Sequence, residues 1–369
     1  MRLVGASVTT RRLAGLDGDY KDPQRCGVGA KFPAVNVAVI GSGSWGTAVA
    51  AMVTSRAPTT LWARRKEAAA EMESTRQNRA YLPGIELPAS LTITSDLAAA
   101  VEGAGLVVVA VPSHGFREVL EAAKELVASD VRVISLSKGV ERGSQLRMTE
   151  VAAEVLPIEP SRIGVLTGPN LAREIALGQP AAAVVAVPDE TIAKELQALF
   201  MQPTFRVYTN LDVVGCEAAG ALKNVMAIAA GMAHGLGYGD NSKAALVTRA
   251  LAELTRLGVA LGGAPLTFAG LAGMGDLVAT CFSDQSRNRR VGVELGLGKP
   301  LDVIVAEMRM VAEGVKSTEA ILALAAAHQI EMPIAAMVGS VLYEGALPAD
   351  MVEGLMTREA KAELHGIGD

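Results

Sequence analysis

Residues 37–46 read V-A-V-I-G-S-G-S-W-G, an apolar, charge-free run that breaks into glycines at Gly41, Gly43 and Gly46. A run this short suits a buried strand better than a helix, and glycines at this spacing let a strand turn sharply into a helix. The helix then follows in residues 45–55, W-G-T-A-V-A-A-M-V-T-S, whose small side chains can pack close to a sheet. Such a strand–turn–helix brings backbone N–H groups and a helix N-terminus against a pyrophosphate with nothing bulky in the way. Gly41, Gly43 and Gly46 are therefore expected to hold a dinucleotide.

The pattern continues. Residues 59–63, 91–94, 106–111, 131–136, 162–166, 181–187 and 205–208 are short apolar runs, most of them separated by amphipathic, alanine-rich segments of helical length. This alternation predicts a parallel, doubly wound α/β sheet of Rossmann type. From Val213 onward no strand-like run is convincing. Segments 217–232, 241–261, 321–328 and 334–343 carry apolar residues at helical spacing, with Pro333 and Pro348 marking boundaries. The expected organisation is a disordered extension over 1–34, a dinucleotide-binding Rossmann domain over 35–212 and an all-helical substrate domain over 213–365.

Half of the 369 residues are apolar, enough for a sizeable core, and a net charge of -5 without long charged runs gives no reason to expect nucleic acid or an anionic membrane as partner. The longest uninterrupted apolar stretches fall well short of the ~20 residues of a membrane span. Cys26, Cys216 and Cys281 lack C-x-x-C spacing, which argues against a metal site or a disulfide framework and for a reducing cytoplasm. The N-terminal segment lacks the apolar core of a secretory signal.

At the end of the second strand, where an acidic residue normally accepts the ribose 2′-hydroxyl of NAD, stand Arg64 and Arg65. A guanidinium pairs well with a 2′-phosphate, so NADP is favoured, while nearby Glu67 keeps NAD in play. Lys138 follows the fifth strand at the edge that faces the ligand crevice. Lys223 is odder, a lone cation in A-A-G-A-L-K-N-V-M-A-I-A-A-G. Burial and a second cation such as Lys138 would both lower its pKa and make it a usable general base; the bland reading is a lysine snorkelling from a helix edge. Asp276 offers a carboxylate to orient the ammonium. Ser286, Arg287 and Asn288 supply a hydroxyl, a guanidinium and an amide in succession, suited to a phosphate if they open a helix. His114, beyond a strand end, reads as a polar rim residue.

Taken together, G-S-G-S-W-G-T-A (41–48), V-P-S-H (111–114), S-K-G (137–139), T-G-P-N-L-A-R-E (167–174), G-A-L-K-N (220–224), A-G-M-G-D-L (272–277), S-R-N-R (286–289) and V-A-E-G (311–314) occur in an order and spacing that resemble the bacterial NAD(P)-dependent glycerol-3-phosphate dehydrogenases over residues 35–345. The resemblance implies a cleft between a Rossmann domain and a helical domain. It also implies interconversion of sn-glycerol 3-phosphate and dihydroxyacetone phosphate, feeding phospholipid synthesis. By position it implies Lys223 as proton acceptor and Lys138 as a contact to both cofactor and substrate, with Gly168, Asn170, Asp276, Ser286, Arg287 and Asn288 at the substrate. Ser44, Trp45, Arg64, Ala172, Arg287, Val311 and Glu313 match cofactor positions. Asn170 departs from the family's usual serine or threonine. A homodimer is left open. A β-hydroxyacid or ketopantoate dehydrogenase shares this architecture and a lysine, but its carboxylate substrate has no need of the S-R-N phosphate grip. A noncatalytic NADP(H) sensor would have little use for a lysine in an apolar helix.

Overall fold

A computed structural model of the chain describes residues 35–308, 312–360 and 362–363. The proposed extension over 1–34, Cys26, Val311 and His365 lie outside the described residues.

Eight strands form one sheet: β1 (Asn36–Ile40), β2 (Thr59–Trp62), β3 (Thr92–Thr94), β4 (Ala104–Val109), β5 (Arg132–Ser135), β6 (Ile163–Thr167), β7 (Ala181–Ala186) and β8 (Phe205–Asn210), in the order β3-β2-β1-β4-β5-β6-β7-β8. β1 and β4 are almost wholly buried, as the centre of a sheet covered on both faces requires. One face packs Val37, Val39 and Leu106 against Val49 and Val53 of the helix Ser44–Val53; the other packs Ala38, Ile40 and Val107 against Phe116 and Leu120 of the helix Phe116–Ala123.

The sheet departs from the all-parallel expectation at one seam. β6 and β7 pair antiparallel, Thr167 opposite Val184, and β8 then pairs parallel to β7. The run A-A-A-V-V-A is apolar throughout and so carries no signal of its direction, and the connection over 168–180, with only the short helix Ala172–Ala176, returns the chain without a full crossover. The reversal has a geometric result. β8 ends at the edge of the sheet opposite the ligand crevice, so the next helix, Val213–Gly235, runs back past β6. Cys216 packs with Val165 and Val184, and Gly220 lies against Thr167 and the Lys138 stem.

From Val213 onward every described element is helical. Val213–Gly235 is long and apolar enough to cross a membrane, although Glu217 and Lys223 interrupt its apolar run; it is instead the buried axis of the helical half. The helix Arg287–Gly296 crosses it at glycines. A Cβ on Gly231 would stand 2.1 Å from the Arg289 carbonyl oxygen, and one on Gly292 would stand 2.0 Å from that of Ile228. Only the absence of side chains at this crossing lets the two backbones meet, which sets the distance between Lys223 and the segment 286–288. The axis is tied to the sheet half by buried Glu217, whose carboxylate accepts from the Thr149 amide (2.9 Å) and from Arg147 (3.0 Å). Burial pushes that carboxyl above the usual range, against the pull of Arg147.

Candidate active site

β1 ends at Gly41, whose φ of 116° is left-handed and whose added Cβ would strike the Ala110 carbonyl oxygen at 2.8 Å. Gly46 is tighter still: a Cβ there would lie 2.1 Å from the Gly41 oxygen. Gly43, by contrast, caps the helix Ser44–Val53 with no side-chain hydrogen bond and faces open space, with no atom within 4 Å of where a Cβ would be. Glycines thus pack the turn from behind and leave its front bare, a cradle that fits a pyrophosphate.

Not every residue of this motif faces the cradle. The Ser44 hydroxyl donates to the Tyr81 carbonyl (2.6 Å), and the Trp45 ring packs edge-on against Phe205 with its indole N–H buried and unpartnered. Ala172 sits in a small apolar cluster with Ala48, Leu82 and Ile85. Arg64 and Arg65 follow β2 at its carboxyl end, exposed and without an ion pair among the described residues. His114 is exposed on the turn Ser113–Gly115, and partial burial, with Lys316, Arg64 and Arg142 nearby, pulls its pKa down.

Across the crevice, three segments converge. Lys138, just past β5, donates to the Gly168 carbonyl (3.1 Å) and to Asp276 Oδ2 (2.7 Å). Lys223, in the middle of the buried axis, donates to Asp276 Oδ1 and to Thr280 Oγ1 (2.6 Å). Asp276 therefore bridges two lysines from opposite halves of the molecule. Its own side chain is 2% exposed and that of Lys223 is 7% exposed, so the snorkelling alternative does not describe this lysine. Burial lowers the Lys223 pKa to about 8; Asp276 opposes that shift and Lys138 adds to it. Asp276 begins the helix Asp276–Phe282 directly after a π-helical turn, Leu271–Gly275, an irregularity common where a side chain must be aimed.

Ser286 caps the helix Arg287–Gly296, its hydroxyl accepting from the Arg289 amide (3.2 Å), so the S-R-N run does open a helix. Asn288 is buried and largely committed: it donates to Asn224 Oδ1 (2.9 Å) and accepts from the Gly314 amide (2.9 Å). Asn224 in turn donates to the Lys138 carbonyl (3.2 Å), so a chain of amides links Lys138, Asn224, Asn288 and Gly314. Glu313 opens the helix Glu313–Ala327; burial raises its pKa, while Arg287, Lys138 and Lys223 draw it back down. Asn170 has both amide atoms buried and unpartnered, as has the Thr167 hydroxyl, so the crevice holds polar groups that await a partner.

Thr280 and Asn224 escaped the sequence reading. The signal for Thr280 was its place four residues after Asp276, on the same helix face, and that for Asn224 was its position beside Lys223.

The chain matches two family models, described as the NAD-dependent glycerol-3-phosphate dehydrogenase N-terminus over residues 36–193 and C-terminus over residues 212–353. It is 55% identical over 331 residues to glycerol-3-phosphate dehydrogenase (NAD(P)+) 2 of Sphingopyxis alaskensis, spanning 90% of this chain and 99% of that one. With the glycerol-3-phosphate dehydrogenase (NAD(P)+) of Thermobifida fusca it shares 53% over 333 residues, 90% of this chain and 99% of the relative. Among solved structures, the glycerol-3-phosphate dehydrogenase of Coxiella burnetii superposes with a TM-score of 0.83 at 38% identity, covering 88% of this chain and 99% of that one. With both family models and these relatives in agreement, the chain belongs to the NAD-dependent glycerol-3-phosphate dehydrogenase family.

Proposed function

We propose that the crevice between the sheet and the helical half interconverts sn-glycerol 3-phosphate and dihydroxyacetone phosphate with NAD(P)(H), supplying glycerol 3-phosphate for phospholipid synthesis. The observation that carries this reading is the pair Lys138 and Lys223 sharing the Asp276 carboxylate, with the Lys223 amine nearly dry and its pKa near 8. The glycine turn at Gly41, Gly43 and Gly46 would hold the pyrophosphate of the dinucleotide, whose nicotinamide would supply the hydride acceptor or donor.

In oxidation, neutral Lys223 takes the proton of the C2 hydroxyl as that carbon loses its hydride and the carbonyl forms. In reduction, the Lys223 ammonium returns the proton to the carbonyl oxygen. Asp276 and Thr280 hold the Lys223 nitrogen in place through either protonation state, and Lys138 keeps a positive charge beside the reacting oxygen. With Lys223 protonated, Lys138, Lys223 and Arg287 outnumber Asp276 and Glu313 at the crevice, a balance that suits an anionic substrate. We assign the phosphate to Ser286 and Arg287, with Gly168 and Asn170 along the substrate; Asn288 contributes chiefly by fixing Asn224 and Gly314. Anchoring the phosphate there would hold C2 in register, so part of its binding energy should appear in turnover.

Arg64 and Arg65 support NADP over NAD, and the division near residue 212 separates the cofactor-binding from the substrate-binding half. Buried free thiols at Cys216 and Cys281 support a cytoplasmic setting. The test is a spectrophotometric assay at ~340 nm, the nicotinamide band followed for any such dehydrogenase, with dihydroxyacetone phosphate and NADPH or NADH in turn. Oxidation of a reduced cofactor dependent on that substrate is expected. Absence of turnover with both cofactors, or faster turnover of ketopantoate, would overturn the reading.

A further inference from the structure

Between the helix Lys66–Thr75 and β3, residues 76–91 leave the sheet and fold back over the glycine turn. The excursion is closed at its base. Arg76, in a left-handed conformation (φ 52°), accepts from the Leu87 amide (2.8 Å) through its carbonyl and donates to the Leu91 carbonyl (2.7 Å) through its guanidinium. It is stapled to its surroundings by Ser44 donating to the Tyr81 carbonyl and by Arg173 donating to the Pro83 carbonyl (2.8 Å). Leu82 and Ile85 pack beneath it against Ala48, Trp45, Ala172 and Ala176.

At its centre is Asn78, only 3% exposed. Its amide nitrogen donates both hydrogens, to the Ser42 carbonyl (2.8 Å) and to Thr47 Oγ1 (2.8 Å), and its oxygen accepts from the Tyr81 amide (3.2 Å). Because Ser42 offers an acceptor and Tyr81 a donor, the amide can sit only one way round. Ser42 lies between two glycines of the turn. In a planar trans peptide the C=O and the following N–H point in opposite directions, so a Ser42 carbonyl held against Asn78 turns the Gly43 N–H away from it. That N–H forms no hydrogen bond among the described residues, and Gly43 borders open space.

We infer that Asn78 is a positioning residue for the cofactor: through the Ser42 carbonyl it fixes the peptide that aims the Gly43 N–H at the pyrophosphate. This rests on the reading of the glycine turn as the dinucleotide site. Glycines make the turn possible but do not choose among its many conformations; the bracket over residues 76–91 makes that choice.

The test is equilibrium NADPH binding, followed by quenching of tryptophan fluorescence, together with steady-state kinetics for Asn78→Ala. Loss of the three hydrogen bonds should raise the NADPH Kd about tenfold. Turnover at saturating NADPH and the KM for dihydroxyacetone phosphate should stay within about twofold of wild type, a split that general damage to the fold would not produce. Should Asn78→Ala fail to fold, Arg173→Ala removes the exposed outer staple and should shift the NADPH Kd in the same direction by about two- to threefold. An unchanged Kd in the folded variant, or NADPH and substrate affinities falling together, overturns the inference. A wild-type chain that binds neither NADPH nor NADH would sink the assignment of the turn itself, and this inference with it.

Discussion

The two helix N-termini to which we assign the anionic groups are built in opposite ways. The helix Ser44–Val53 starts at a glycine with no side-chain cap, and its surroundings are backbone and small residues. The helix Arg287–Gly296 starts at a serine that already caps it and is followed by a guanidinium and a committed amide. On the proposed assignment the first end would recognise by leaving room, the second by supplying charge and hydroxyl. The contrast extends to the two halves of the molecule. On the sheet side, a ligand would meet main chain made accessible by missing Cβ atoms. On the helical side, it would meet buried ionic side chains whose protonation is set by neighbours. The first kind of site should therefore be sensitive to added bulk, and the second to lost charge.

The largest effect should come from removing the buried amine. Lys223→Ala should lower kcat about 100- to 10,000-fold, the usual worth of a general acid–base, while NADPH affinity stays close to wild type. The pH dependence gives a second reading of the same group. With a Lys223 pKa of about 8, the rate of alcohol oxidation should rise as pH passes upward through that value, because the base must be neutral. Ketone reduction should fall over the same window, because the ammonium is the acid. Parallel limbs in both directions would remove Lys223 from proton transfer.

Added bulk should matter next. Gly46→Ala forces a methyl to within 2.1 Å of a backbone oxygen that cannot yield, and should cost roughly 1–3 kcal/mol, felt as weakened NADPH binding in titration calorimetry. Substrate-side residues should be indifferent to it. A Gly46→Ala enzyme with native cofactor affinity would erase the contrast between the halves.

The smallest effect belongs to the exposed rim. Arg64→Ala should weaken NADPH by about 1 kcal/mol, roughly fivefold, because a solvent-exposed ion pair is worth no more than that. NADH binding should hardly change, and the difference should shrink as salt is raised. Equal losses for both cofactors would mean that Arg64 does not discriminate at the 2′ position.

Much of this was legible in the residues, for reasons that differ from place to place. β4 announced itself because a central strand buried on both faces has to be apolar without interruption. Lys223 drew attention because a cation embedded in an alanine-rich helix costs too much to be incidental, and the structure finds it bridged to Lys138 through one carboxylate. The direction of β7 was not legible, since a strand that is apolar throughout suits either direction and its polarity is decided by the connection before it. Trp45 lies inside a cofactor motif, yet its ring packs on Phe205; that partner is 160 residues away and no local pattern names it. Asn78 was overlooked because residues 76–91 have no periodicity, and its worth lies in three specific hydrogen bonds and not in any face of an element. The glycine crossing of the two long helices also reads as ordinary small-residue composition until both partners are seen together.

The reversal of β7 makes the helix Val213–Gly235 a single shaft seated in both halves. Its first turns lie against β6, Lys223 stands at mid-length, and Gly231 and Gly235 hold the partner helix about 12 and about 18 Å further along. A change at that distant contact, such as a methyl on Gly231, would not touch any ligand. It would slide Ser286 and Arg287 relative to Lys223, and, on the proposed assignment, a misfit there would show as slow turnover of a substrate that still binds.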